Sequence, residues 1–155
     1  MTDDVTIRGV EDGDYDRIIG LLDAWWGGRE MTDMLPRLFF TNFADTSFVA
    51  QDEDGSIVGF VCGFGSPARP GEAYVHFIGV DPRHRRRGVA RLLYDRFAAE
   101  ARAAGRTTLR ALTSPVNEVS IAAHRALGFE VEGVRRDYDG PGRDRVLFVR
   151  RLDPR

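Results

Sequence analysis

The sequence predicts an α/β (α+β) fold: a mixed, largely antiparallel central sheet of about seven strands flanked by about four helices. Three observations carry this prediction. Strand-like and helix-like stretches succeed one another as strand, two helices, three strands, helix, strand, helix, two strands. The turn Asp52-Glu53-Asp54-Gly55 joins two of the strands into a hairpin. The chain has 155 residues, 43% hydrophobic and 30% charged, the size and composition of one globular domain, residues 1–155, with a full core.

Residues 5–10 read as a short first strand. The next segment is helical, because Tyr15, Ile18, Leu22 and Trp25 fall on one stripe with Ile19, Leu21 and Trp26 beside it; Asp12 or Asp14 is placed to cap it and Gly27-Gly28 ends it. A second helix over residues 32–40 contains Pro36, which disturbs its extent. Residues 47–51 and 56–64 are the hairpin strands. Pro67, Pro70 and Gly71 break the pattern into a loop, before a strand at 73–80 and a helix at 88–104. Residues 107–113 alternate, with Leu109, Ala111 and Thr113 on one face of a strand. A helix opens at Asn117, runs to about Leu127 and meets Gly128 at its C-terminal cap. Strands near 129–137 and 145–151 flank the loop 138–142. Repeats, low-complexity segments and linkers are absent from the sequence.

Function concentrates in residues 73–93, a strand, a basic turn and a helix. Asp81-Pro82 stops the strand, and Val89, Leu92, Leu93 and Phe97 recur at helical spacing. The first amides of a helix lack intrahelical partners and sit at the positive end of its dipole, so Arg85-x-x-Gly88-x-Ala90 suits a diphosphate. Gly88 lets phosphate oxygens approach the backbone, and Ala90 keeps the first turn thin. This spelling, Val-Asp-Pro-x-x-Arg-x-x-Gly-x-Ala, resembles the acyl-CoA-binding signature of the GNAT superfamily of N-acyltransferases. The resemblance implies a GNAT-like fold along essentially the whole chain. It also implies that Arg85, Arg86, Arg87, Gly88, Val89 and Ala90 hold the coenzyme A pyrophosphate, and that backbone groups of Ile78, Gly79 and Val80 bind pantetheine. Arg86 departs from the pattern, since relatives often carry a second glycine there.

A second stretch, Asn117-Glu-Val-Ser-Ile-Ala-Ala-His-Arg-Ala-Leu-Gly-Phe129, resembles the late helix of the same superfamily. Asn117, Ser120 and His124, spaced by three and then four, project from one helix face. The resemblance implies that Asn117 and Ser120 contact the cofactor and that position 124 lies near the thioester sulfur. Many relatives have Tyr there as general acid, whereas this chain has His124, as phosphinothricin-type acetyltransferases do. An imidazolium can donate a proton to a leaving thiolate; the alternative is a helix-surface or capping histidine.

Amide formation needs a neutral amine, and deprotonating an aliphatic amine at pH 7 costs about 4 kcal/mol. Tyr74, His76, Ile78 and Val80 share one strand face by period two. Relatives often hold a carboxylate base near 74–76; here His76 is the best candidate, with Tyr74 beside it, and a buried, hydrogen-bonded strand histidine is the alternative. Glu72, Asp137 and Asp139 are further candidate bases or amine-recognition groups. Trp25, Trp26, Phe39, Phe40 and Tyr138 divide between an acceptor pocket and the core.

With 22 basic against 24 acidic residues the net charge is -2, which argues against a nucleic-acid partner despite the arginine cluster at 83–91. Every basic side chain is arginine. The single Cys62 lies in an apolar run and reads as packing rather than as a nucleophile. With no apolar run of bilayer length and no signal-peptide pattern at the N-terminus, the expected location is cytoplasmic, with no membrane partner and no metal. The expected activity is acetyl-CoA-dependent N-acetylation of a small amine or amino acid by direct transfer in a ternary complex. A protein or peptide acceptor and a non-catalytic acyl-CoA sensor are the alternatives. Relatives commonly form homodimers, an option the resemblance extends to this chain.

Overall fold

A computed structural model describes residues 4–153. Its strands are β1 (Thr6–Gly9), β2 (Phe48–Gln51), β3 (Ile57–Gly65), β4 (Glu72–Val80), β5 (Thr108–Thr113), β6 (Glu130–Arg135) and β7 (Arg145–Arg151). The α-helices are α1 (Asp14–Trp25), α2 (Leu38–Thr41), α3 (Val89–Ala103) and α4 (Glu118–Ala126). Strand order is β1-β2-β3-β4-β5-β7-β6, and the predicted succession of elements holds throughout. No helix among the described residues is long and apolar enough to cross a membrane.

The chain forms two compact units, one comprising the chain to Phe64 and Val75–Glu100, the other Gly65–Tyr74 and the chain from Ala101 onward. In the first, β1 and β2 pair antiparallel from Thr6↔Gln51 to Gly9↔Phe48, and β2 pairs antiparallel with β3. The stripe of α1 buries Ile18, Leu22 and Trp25 against Leu35, Phe39, Phe40 and Phe60, with Cys62 inside the same cluster. Desolvation pushes the Cys62 thiol far up, so it stays protonated and packs as a small apolar group.

Two local expectations are corrected here. The N-cap of α1 is Gly13, at φ 92, rather than Asp12 or Asp14. Asp14 is the first helical residue and is buried; it accepts from Glu11 N–H at 2.7 Å and from both terminal nitrogens of Arg8 at 2.8 and 3.0 Å. The carboxylate is thus committed to an ion pair, and glycine supplies the left-handed backbone at the cap. The second helix is not continuous over 32–40: a 3-10 turn (Thr32–Met34) is separated from α2 by Leu35-Pro36-Arg37. Proline lacks the N–H and disfavours helical backbone in the residue before it.

In the second unit, β5 pairs antiparallel with β7 from Thr108↔Arg151 to Thr113↔Val146, and β6 pairs with β7 through a register shift at Val131/Gly133. The first three residues of β4 run parallel to β5, from Glu72↔Thr108 to Tyr74↔Arg110. Leu109, Ala111, Phe129, Val146, Phe148 and Leu152 are among the buried apolar side chains of this unit. Arg106 ties the loop 65–71 down by donating from Nη1 to the carbonyls of Ser66 and Pro70 at 2.9 and 2.7 Å.

Candidate functional site

The turn after β4 is built from its own side chains. Asp81 Oδ1 accepts from Arg83 N–H at 2.9 Å, and His84 N–H donates to Asp81 C=O at 2.8 Å, so the chain turns once through Pro82–His84. Arg86 (φ 65) and Gly88 (φ 80) then both take left-handed backbone before α3 begins. Among the described residues, the amides of residues 86–90 have no acceptor. A run of outward-facing N–H groups at the positive end of a helix is the chemistry that suits an anion. Arg86, the departure noted in the sequence, sits where the backbone requires positive φ, which is why glycine suits this position.

The arginines of the turn differ. Arg85, Arg86 and Arg87 are all exposed, but among the described residues only Arg85 reaches back to α1. Arg85 Nη2 donates to the carbonyl of Trp25 at 3.2 Å, placing a cation at the C-terminus of α1. The Val89 side chain is 1% exposed and packs in the core, so what it can offer a ligand is its amide. Ala90 is half-buried. On β4, Ala73, Val75 and Gly79 are buried while Tyr74, His76, Ile78 and Val80 are half-buried, the expected alternation, broken by a half-buried Phe77. Gly79 has no room for a side chain: a Cβ there would lie 2.7 Å from the Phe60 ring and 2.9 Å from the Trp26 indole.

His76 is a hydrogen-bonded strand histidine with a defined tautomer. Its Nε2–H donates to the Met34 carbonyl at 2.7 Å, and its ring stacks on Phe39 at 4.3 Å and 10°. Burial lowers its proton affinity below the ordinary histidine value, a fall the Met34 bond only partly offsets. The neutral ring therefore carries its lone pair on Nδ1, which has no partner among the described residues. Nothing in the local sequence signals this arrangement, because Met34 is 42 residues away.

In the second unit, Asn117 is the N-cap of α4, its Oδ1 accepting from Ser120 N–H at 3.1 Å. His124 is neither a surface nor a capping histidine: it is 7% exposed, stacks on Phe148 at 4.4 Å and 4°, and meets the edge of Phe129. Its Nδ1–H donates to Ser120 C=O at 2.8 Å, and burial lowers its proton affinity. Tyr74 is half-buried opposite Arg110. The alternative acids are already engaged. Glu72 accepts from Arg110 at 3.3 Å, Asp137 from Gly142 N–H at 2.8 Å, and Asp139 pairs with Arg145 at 2.9 Å. Of the aromatics, Trp25, Phe39 and Phe40 are core, Trp26 is half-buried and Tyr138 is 47% exposed.

An amide-lined turn for an anion and a neutral imidazole with a directed lone pair therefore stand on the scaffold predicted for acyl transfer. The chain belongs to the acetyltransferase (GNAT) family, whose model matches residues 15–129. It is 35% identical over 88 residues to an L-2,4-diaminobutyric acid acetyltransferase of Streptomyces anulatus, a match covering 57% of this chain and 49% of that protein. The chain spans about half the length of the curated relatives it matches. A crystal structure of nourseothricin acetyltransferase is similar at 32% identity and TM-score 0.63, over 69% of this chain and 65% of that one. The fold of a GNAT superfamily phosphinothricin acetyltransferase from Sinorhizobium meliloti, in complex with acetyl-CoA, matches with TM-score 0.75 at 24% identity, over 98% and 89% of the two chains.

Proposed function

We propose that this chain is an acetyl-CoA-dependent N-acetyltransferase that acetylates the primary amine of a small molecule or amino acid by direct transfer in a ternary complex. The observation that carries this reading is the row of undonated amides at 86–90, held open by left-handed Arg86 and Gly88. These amides fit a diphosphate, and the exposed Arg86 and Arg87 add positive charge beside them. Backbone groups of Ile78, Gly79 and Val80 are proposed to bind pantetheine; in the second unit Asn117, whose Oδ1 caps α4, keeps its amide NH2 as a donor.

Bound acetyl-CoA supplies a thioester carbonyl that an amine can attack. The chain's task is to deliver the amine uncharged. His76 Nδ1 takes the ammonium proton, directly or through one water, and the ring's lowered proton affinity keeps it neutral at pH 7. His124 and Ser120 hold α4 in shape through the Nδ1–H bond, and Tyr74 lies on β4 two residues before the base. The relatives' acceptor, diaminobutyrate, makes an amino acid with a second amine the first compound to try.

The test is acceptor-dependent release of free CoA across amines, amino acids including L-2,4-diaminobutyrate, and short peptides, with calorimetric CoA binding alongside. Release with a small amine is expected, and Gly88→Trp is expected to abolish CoA binding while the circular dichroism spectrum is kept. Tight binding without release for any acceptor would favour the sensor, and peptide-selective release would reassign the acceptor. Unchanged CoA affinity in Gly88→Trp would move the diphosphate elsewhere.

A further inference from the structure

The segment that supplies both orienting contacts to His76 is itself held from α1. Met34 accepts the Nε2–H bond and Phe39 stacks on the ring, and between them Leu35 C=O accepts from the Tyr15 hydroxyl at 2.7 Å. Adjacent carbonyls are thus gripped by two different elements, Met34 by β4 and Leu35 by α1. Further braces come from the same helix. Asp23 accepts from Met31 N–H at 2.8 Å, and the Arg37 guanidinium lies 4.5 Å over the Tyr15 ring while donating to Asp16 at 2.7 Å. A peptide carbonyl turns only with its neighbours, since the planar unit leaves two soft dihedrals per residue. The Met34–Leu35 peptide is also held by Leu35 N–H donating to Thr32 C=O at 3.2 Å, so the Tyr15 bond to the next carbonyl adds to that hold, and its release loosens the direction in which the Met34 carbonyl points.

We infer that Tyr15 is a positioning residue: its hydroxyl, through Leu35 and Met34, selects the Nε2–H tautomer of His76 and so keeps the lone pair on Nδ1. The inference rests on the assignment of His76 as the base. Among the described residues, the polar and ring partners of Tyr15 are Leu35, Phe40 and Arg37 rather than His76 or the turn at 86–90, and no sequence motif marks it. Its ring has a separate packing role, edge-on to Phe40 at 5.5 Å, which Tyr15→Phe preserves.

Ring nitrogen-15 shifts of the three histidines, assigned with single His→Gln variants, report the tautomer directly. The wild-type His76 signal is expected as the Nε2–H form. In Tyr15→Phe the Nδ1–H form is expected to appear, with kcat several-fold lower and KM for acetyl-CoA unchanged. A wild-type ring in the Nδ1–H form, or a Tyr15→Phe variant with an unaltered tautomer, overturns the inference. Full activity in His76→Gln would instead remove His76 as base, while the tautomer shift in Tyr15→Phe would still decide whether Tyr15 positions the ring.

Discussion

Arg86 holds its backbone at φ 65, a region where a side chain costs about 1 kcal/mol or more. Arg86→Gly is therefore expected to raise stability by up to about 1 kcal/mol, partly offset by the looser unfolded chain, readable as a higher urea midpoint. Lower stability would show that the arginine side chain contributes more than its backbone costs. His76 makes a different prediction. Because burial lowers its proton affinity, the acid limb of kcat/KM is expected below about pH 6.5. His76→Gln should remove that limb and lower kcat by about 100-fold or more. A limb unchanged in the variant would assign the titration to another group. Both residues were named from the sequence, but the features that matter were not visible there. A left-handed φ at an arginine is a property of the turn, and the tautomer depends on a carbonyl far away in the chain.

At the scale of elements, β4 is the strand with least freedom. Gly79 lies against Phe60 and Trp26, so Gly79→Ala is expected to cost about 1–3 kcal/mol by overpacking, measured by urea unfolding. In the other unit, a Cβ on Gly65 would overlap the Arg106 guanidinium, whose bonds to Ser66 and Pro70 hold the loop. Gly65→Ala is expected to cost about 1–2 kcal/mol and to speed proteolysis within 65–71. If cleavage is unchanged, Arg106 does not govern the loop. Element type and order were legible because apolar periodicity is local: the α1 stripe, the turn at 52–55 and the Asn117 cap all stand as read. The first-helix cap and the 32–40 segment were not. The sequence offers Asp12 and Asp14 as caps, while the ion pair that commits Asp14 to Arg8 is tertiary, and the break at Pro36 leaves helical spacing on both sides. The aromatics could not be sorted for the same reason: stacking of Phe39 on His76 is tertiary.

For the whole molecule, His76, His124 and Asp14 are among the groups that set the response to acid. His76 and His124 bind protons less readily folded than unfolded because burial disfavours the charged ring. Burial pushes the Asp14 carboxyl up, but its hydrogen bonds from Arg8 and from Glu11 N–H, with the charges of Arg8 and Arg17, outweigh this and hold it below its usual value. A lowered folded value means that the unfolded chain protonates first, so stability is present above the unfolded value and lost as pH falls through the folded one. Urea midpoints are expected to fall from about pH 6.5 downward through the histidines, then again below about pH 4 through Asp14. His124→Phe, which keeps an aromatic ring against Phe148, is expected to flatten the upper part of that decline; an identical slope would exclude His124 as a contributor. The tie between Arg85 and the Trp25 carbonyl has a practical consequence of another kind. Trp25 and Trp26 are the chain's two tryptophans; the first carries that carbonyl and the second lies against Gly79. The Trp26 indole therefore lies at the end of β4 that leads into the proposed diphosphate turn, and occupancy of that turn is expected to change the unlabelled protein's tryptophan emission in a cuvette.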